Sequence, residues 1–142
     1  VVSGGRGIGA SENYGPLVEE LAKHFLLSVV TAKPVNQATI AVEALGMTEL
    51  FETVIGPQPD RPTPKARLLE DALAIIENKH GTRPRNDACW MIGDRHHDID
   101  AATEVGTRSV GVLWGYGDEA ELTAAGATAI ARVPADLLTI LL

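Results

Sequence analysis

The sequence predicts an α/β fold: one three-layer, Rossmann-like domain with a parallel sheet and helices on both faces. Two observations carry this expectation. Short apolar, β-branched runs alternate with helical patterns along the whole length, which is the order a parallel sheet with crossover helices requires. The 142 residues, 45% apolar and 22% charged, suffice for one ordinary core. No internal repeat or low-complexity stretch interrupts the alternation.

Strands are expected at Val1–Val2, Leu27–Val30, Thr53–Ile55, Ala88–Ile92, Ser109–Leu113 and Thr128–Ala131, each short and apolar. Helices are expected at Asn13–Phe25, Asn36–Leu45, Pro64–Asn78, Asp98–Val105 and Glu119–Ala124. In the third, Leu68, Leu69, Ala72, Leu73, Ile75 and Ile76 recur at three- and four-residue spacing, so one face is buried. In the first, Leu17, Leu21 and Phe25 with Val18 form the equivalent stripe. Pro64 suits a first helical turn, and Gly46, Gly106 and Gly126 suit helix C-termini. Right-handed crossovers place every strand C-terminus, and any ligand, along one edge.

That edge collects the informative residues. Thr31 follows the second strand, and its hydroxyl can donate to a phosphate oxygen. Lys65 opens the third helix, where a cation offsets phosphoryl charge. The fourth strand runs into Gly93-Asp94, and Asp98 lies one turn on, a spacing that brings two carboxylates to one side for a hard cation such as Mg²⁺. Each has a plainer role when taken alone. Thr31 would be a turn or cap residue, Lys65 a solvated helix residue and Asp94 a helix N-cap. Their joint placement at successive strand ends favours the chemical reading. His96 and His97 are adjacent and do not readily share one face, so a helix-start position suits them better than metal ligation.

Composition excludes several classes. A net charge of −7 without a basic patch argues against nucleic acid and anionic membranes. The longest apolar runs are too short to span a bilayer. Cys89 is the one cysteine, so no disulfide framework exists and a cytoplasmic setting fits. A monomer is expected. The chain begins without Met and inside an apolar strand pattern, as a fragment, a processed chain or an engineered product would.

Residues 26–142 resemble the haloacid dehalogenase superfamily, within its phosphoglycolate-phosphatase-like branch. The residues that carry the resemblance are Leu27 through Pro34, Pro64-Lys65, Met91 through Ala102, and Val112 through Gly117. The resemblance implies a sheet of five strands ordered 3-2-1-4-5, with Val1–Val2 central and a short sixth strand from Thr128 as a candidate for the far edge. It implies that Thr31 and Lys65 hold phosphate and that Asp94 and Asp98 hold Mg²⁺ weakly. It also implies an aspartate nucleophile on the first strand and a second, acid–base aspartate two residues later. Here those places fall near Ser3 and Gly5, and no aspartate precedes Asp60. About one helix separates Val2 from Leu27, which leaves no room for a cap domain between them.

Residues 1–25 are similar to the alpha subunit of electron-transfer flavoprotein. The likeness runs through Val1 to Gly9, Ser11 to Tyr14 and Leu17 to Ala22. Gly4, Gly5 and Arg6 thereby become candidate anion-binding residues at a helix start, for phosphate or sulfate; FAD itself is not expected, since the downstream flavin-contacting segments are absent. Together the two resemblances suggest an engineered, recombinant chimera of two related folds with no evolved catalytic activity, its remnants Thr31, Lys65 and Asp94. The alternatives are a Mg²⁺-dependent phosphatase with residual hydrolysis, and a flavin- or nucleotide-binding module.

Overall fold

The computed structural model describes residues 2–3 and 15–142. The candidate loop residues Gly4, Gly5 and Arg6 lie outside the described residues. The elements run β1 (Val2–Ser3), α1 (Gly15–Ala22), β2 (Ser28–Val30), α2 (Val35–Ala44), β3 (Thr53–Ile55) and α3 (Lys65–His80). They continue through β4 (Trp90–Gly93), α4 (His96–Val105), β5 (Arg108–Val112), α5 (Glu119–Ala125), β6 (Ala129–Ala131) and α6 (Asp136–Leu141). Short 3₁₀ turns at Thr48–Leu50 and Asn86–Ala88 lead into β3 and β4.

The described strands form one sheet in the order β3-β2-β1-β4-β5-β6, and every neighbouring pair is parallel. The chain winds outward from β1 in one direction to β3, then returns to the other side of β1 at β4. The sheet therefore has its topological switch between β1 and β4, where open α/β sheets leave a crevice beyond the strand C-termini. Val2 pairs with Val29 on one side and Ile92 on the other, which fixes that crevice between the ends of β2 and β4.

Strand alternation divides the core into two layers. Val29 and Ile92 turn to one face and join Val18 and Leu21 of α1, Val42 of α2 and Leu137 of α6. Val30 and Met91 turn to the other face and meet Leu68, Leu69 and Ala72 of α3 and Ala102 of α4. In α1, Val18 and Leu21 are buried, whereas Leu17 and Phe25 are only partly so. The helix ends at Ala22, and the amides of His24 and Phe25 close a turn on the Leu21 carbonyl, with Phe25 packed at the margin of the same cluster.

Most element ends shift by one to three residues from the sequence expectation, and three differences bear on the site and the core. Pro64 stands just outside α3 as its N-cap residue, with Lys65 the first helical residue. Helix α4 begins at His96, not Asp98, because Arg95 takes the extended N-cap conformation and Asp98 falls in the first turn. Helix α6 was not expected from the sequence; its six residues bury Leu137 in the core. No helix among the described residues is long and apolar enough to cross a membrane.

Candidate functional site

Three of the four described candidates are buried where the strands end. Thr31 is 5%, Asp94 5% and Asp98 2% exposed, and Lys65 enters from the start of α3. A carboxylate this deep costs several kcal/mol unless partners compensate, so the partners define the site.

Asp98 is compensated by a cation. Lys65 Nζ forms an ion pair with Asp98 Oδ1, with side-chain exposures of 15% and 3%. The other oxygen, Oδ2, accepts from the Arg95 amide at 3.4 Å, so the carboxylate reaches back over the N-terminus of its own helix. Asp94 is compensated by backbone. Its Oδ2 accepts from the Tyr116 amide at 3.0 Å, and its carbonyl accepts from the Gly117 amide at 2.8 Å. The loop after β5 is therefore clamped to the end of β4 by two hydrogen bonds. Thr31 Oγ1 accepts from the Lys33 amide at 3.1 Å, which closes a tight turn after β2 and orients the hydroxyl at the strand end.

Glycine makes this density possible. A methyl group on Gly93 would lie 2.2 Å from Asp98 Cβ and Oδ2, and one on Gly115 would lie 2.3 Å from Asp94 Cβ and Oδ2. Neither glycine has a positive φ, so the demand here is for space and not for an unusual backbone.

A second layer surrounds the pair. Glu121, in the first turn of α5, accepts from Arg95 Nε at 2.9 Å and from the His96 amide at 3.0 Å. The Arg95 guanidinium hydrogen bond holds the Glu121 carboxyl below the usual glutamate range, and the same bond raises Arg95. Asp118 caps α5 by accepting from the Glu121 amide at 2.8 Å. His96 Nδ1 lies 2.9 Å from Asp100 Oδ2, and its ring leans on His97 with centroids 3.9 Å apart, so both rings sit at the start of α4. Among the described residues no group of three or more His, Cys, Asp or Glu side chains is arranged to hold a metal. Cys89 is buried far from this edge, and burial pushes its thiol up, away from reactivity.

Sequence reasoning did not find Glu121 or the amides of Tyr116 and Gly117. Asp118 and Glu121 form an Asp-x-x-Glu pattern at a helix start, which reads as a local cap. The glutamate instead reaches across to the neighbouring helix.

An open parallel α/β sheet with an acidic pair and a lysine at its switch point defines a Rossmann-like core of the haloacid dehalogenase kind. A family model described as HAD-hydrolase-like matches residues 61–140. The chain belongs to that family. It is 33% identical over 108 residues to the tyrosine-protein kinase PtkA of Mycobacterium tuberculosis, covering 75% of this chain and 35% of that protein. It is 34% identical over 98 residues to the phosphoglycolate phosphatase of Escherichia coli, covering 67% of this chain and 36% of the enzyme. The matches thus span about a third of the length of these curated relatives. A solved Clostridium difficile structure described as a phosphatase superposes with a TM-score of 0.82 at 28% identity, over 92% of this chain and 60% of its own.

These findings correct the chimera reading. The superposition covers a larger share of the chain than residues 26–142 make up, so the likeness to one solved fold reaches into the first 25 residues. The family match places the chain among the haloacid dehalogenase-like proteins, and neither it nor the relatives shows a flavoprotein segment or an engineered join. A short glycine-rich strand–loop–helix is shared by many nucleotide- and phosphate-binding folds, which is why residues 1–25 resembled another family.

Proposed function

We propose that this chain carries a Mg²⁺-assisted site for hydrolysis of small phosphate monoesters, the class to which phosphoglycolate belongs. The observation that supports it most directly is the buried Lys65–Asp98 pair one helical turn from Asp94, at the crevice where β1 and β4 part. A cation and two carboxylates buried together at a strand edge suit the binding of a phosphoryl group and its counter-ion better than they suit stability, since apolar residues would fill the space at lower cost.

In this reading the Thr31 hydroxyl and the Lys65 ammonium hold phosphate oxygens, and inorganic phosphate or sulfate binds in the same place. Asp94 and Asp98 would hold Mg²⁺. The all-oxygen donor set suits a hard cation, and Gly115, where a methyl group would lie 2.3 Å from Asp94 Oδ2, lets that carboxylate take its place. With Asp98 also engaged by Lys65, two carboxylates would hold a Mg²⁺ ion only weakly. When bound, Mg²⁺ neutralises charge on the phosphate oxygens. The protein's own groups do the positioning: the amides of Tyr116 and Gly117 fix Asp94, Lys65 pairs with Asp98, and Thr31 orients the phosphate.

No aspartate precedes Asp60, so β1 offers no carboxylate to form an aspartyl-phosphate. Hydrolysis then proceeds by attack of water on phosphorus, with cleavage of the ester P–O bond and departure of the alcohol, whose proton comes from solvent. Without the covalent route it is slow, because residues that act as a unit lose most of their effect when one is missing. The test is turnover of an aryl phosphate with and without MgCl₂. Slow Mg²⁺-dependent release of phosphate that Asp94→Asn abolishes is expected. Release that is indifferent to Mg²⁺, or that survives Asp94→Asn unchanged, overturns the proposal.

A further inference from the structure

The site's two aspartates sit on a segment that is held from outside, and the residue that holds it is on another helix. Glu121 Oε2 takes two donors at once, the Arg95 side chain at 2.9 Å and the His96 amide at 3.0 Å. The His96 amide is one of the N–H groups at the start of α4 that lack an intrahelical partner. Within α4, Asp98 accepts from the amide of Arg95, the N-cap residue. Glu121 supplies from α5 the acceptor for the next amide, that of His96. A carboxylate is the favoured partner there, since it faces the positive end of the helix dipole.

The same oxygen lies beside the other clamp. A methyl group on Gly117 would lie 2.9 Å from Glu121 Oε2 and 2.2 Å from the Asp94 carbonyl. Gly117 is the residue whose amide binds that carbonyl at 2.8 Å, and the preceding amide, Tyr116, binds the Asp94 carboxylate. Glu121 is thus packed between the segment carrying Asp94 and Asp98 and the loop that fixes Asp94. Its own placement is set by Asp118, which accepts from the Glu121 amide.

We propose that Glu121 is a positioning residue: it joins the start of α4 to the 115–117 loop and so sets the geometry of Asp94 and Asp98 toward a cation, without touching substrate itself. This rests on the proposed Mg²⁺ role of the two aspartates for its ion-binding consequence, but its structural half stands apart. Side chains that orient ligands from behind typically change metal affinity about 10–100-fold when removed.

The experiment compares the wild-type chain with Glu121→Ala and Glu121→Gln by ¹H–¹⁵N spectra, recording amide exchange first and then a MgCl₂ titration. In Glu121→Ala, exchange at the Tyr116 amide, which donates to Asp94 Oδ2, should accelerate together with exchange at His96, while amides of β2 and β3 keep their protection. Glu121→Gln, which retains an acceptor oxygen, should restore most of it. Tyr116 exchange unchanged in Glu121→Ala overturns the proposal. Where Mg²⁺ shifts the amides of residues 93–98 in the wild type, half-saturation should move up about 10–100-fold in Glu121→Ala and recover in Glu121→Gln. An unmoved midpoint overturns it. If the wild-type spectra do not respond to Mg²⁺, the phosphatase reading fails, and the exchange result alone decides the role of Glu121.

Discussion

The two ends of the sheet are packed by different rules. At the C-terminal end, polar groups crowd so closely that Gly93 and Gly115 leave no room for a methyl group, and each buried carboxylate has a defined partner. At the N-terminal end, Leu21, Phe25, Leu27, Ile76, Cys89 and Trp90 surround a half-open cavity of about 200 Å³ under the end of α1. Apolar contacts have no direction, so they tolerate approximate fit. Charges and hydrogen bonds in a buried site do not, because an unmet partner costs as much as a lost core methyl or more. The fold is precise where chemistry is expected and loose where only burial is needed.

The buried ion pair should give the largest single effect. Lys65→Met leaves the Asp98 carboxylate buried without its cation, and breaking such a pair costs about 3–5 kcal/mol. Adding Asp98→Asn should recover much of that loss, because an amide needs no counter-ion and can still accept from the Arg95 amide. Chemical denaturation of both variants checks this. If the single and double variants were equally unstable, the crowding at this end would owe little to charge.

Core truncation contrasts the two ends directly. Leu69 is 1% exposed and packed on the side of the sheet covered by α3 and α4, whereas Leu21 borders the open cavity. Both fall in the range of about 2–5 kcal/mol for Leu→Ala, with Leu69→Ala near its top and Leu21→Ala lower, since the cavity beside Leu21 gives its neighbours room to relax into the gap. Equal costs would mean that the cavity closes in solution. Gly93→Ala and Gly115→Ala should follow at about 1–3 kcal/mol each by overpacking, with a larger loss of Mg²⁺-dependent hydrolysis than of stability. Gly81→Ala is the control: its φ of +80° is costly for alanine, but nothing lies within 4 Å, so about 1 kcal/mol is expected and hydrolysis should hold.

The same division explains what could be read in the sequence. Buried parallel strands are apolar runs, so Thr53–Ile55 and the neighbourhoods of the other strands were legible without any contact information. Thr31, Lys65, Asp94 and Asp98 were legible because each adjoins the end or start of such an element. Helix α6 was missed because six residues at Asp136–Leu141 are too few to show a helical period beside an apolar run that ends in Leu142. The start of α4 was set two residues late because His96 and His97 carry no apolar signal. Glu121, Tyr116 and Gly117 were not legible for a different reason. Their bonds to Arg95, His96 and Asp94 span 22 to 26 residues in sequence and partly use backbone amides, which every residue type possesses.

A second ion pair at the same end, but on its surface, should give the smallest effect. Glu119 at the start of α5 takes a forked bond from Arg132, at 2.9 Å from Nη1 and 2.7 Å from Nη2, yet the side chains are 47% and 63% exposed. The Arg132 hydrogen bond holds the Glu119 carboxyl below the usual glutamate range. A lowered folded value means the stabilisation is fully present above the unfolded value, about pH 4.3, and is lost as pH falls through the folded value. Glu119→Gln should therefore lower Tm slightly at pH 7 in low salt. The difference should fade on acidification below the folded value, and also near 1 M salt at pH 7, where the Debye length is about 3 Å. Solvent screening keeps exposed pairs weak even when their geometry is good. A Glu119→Gln loss as large as that of Lys65→Met would show that geometry, and not burial, sets the worth of a charge at this end of the sheet.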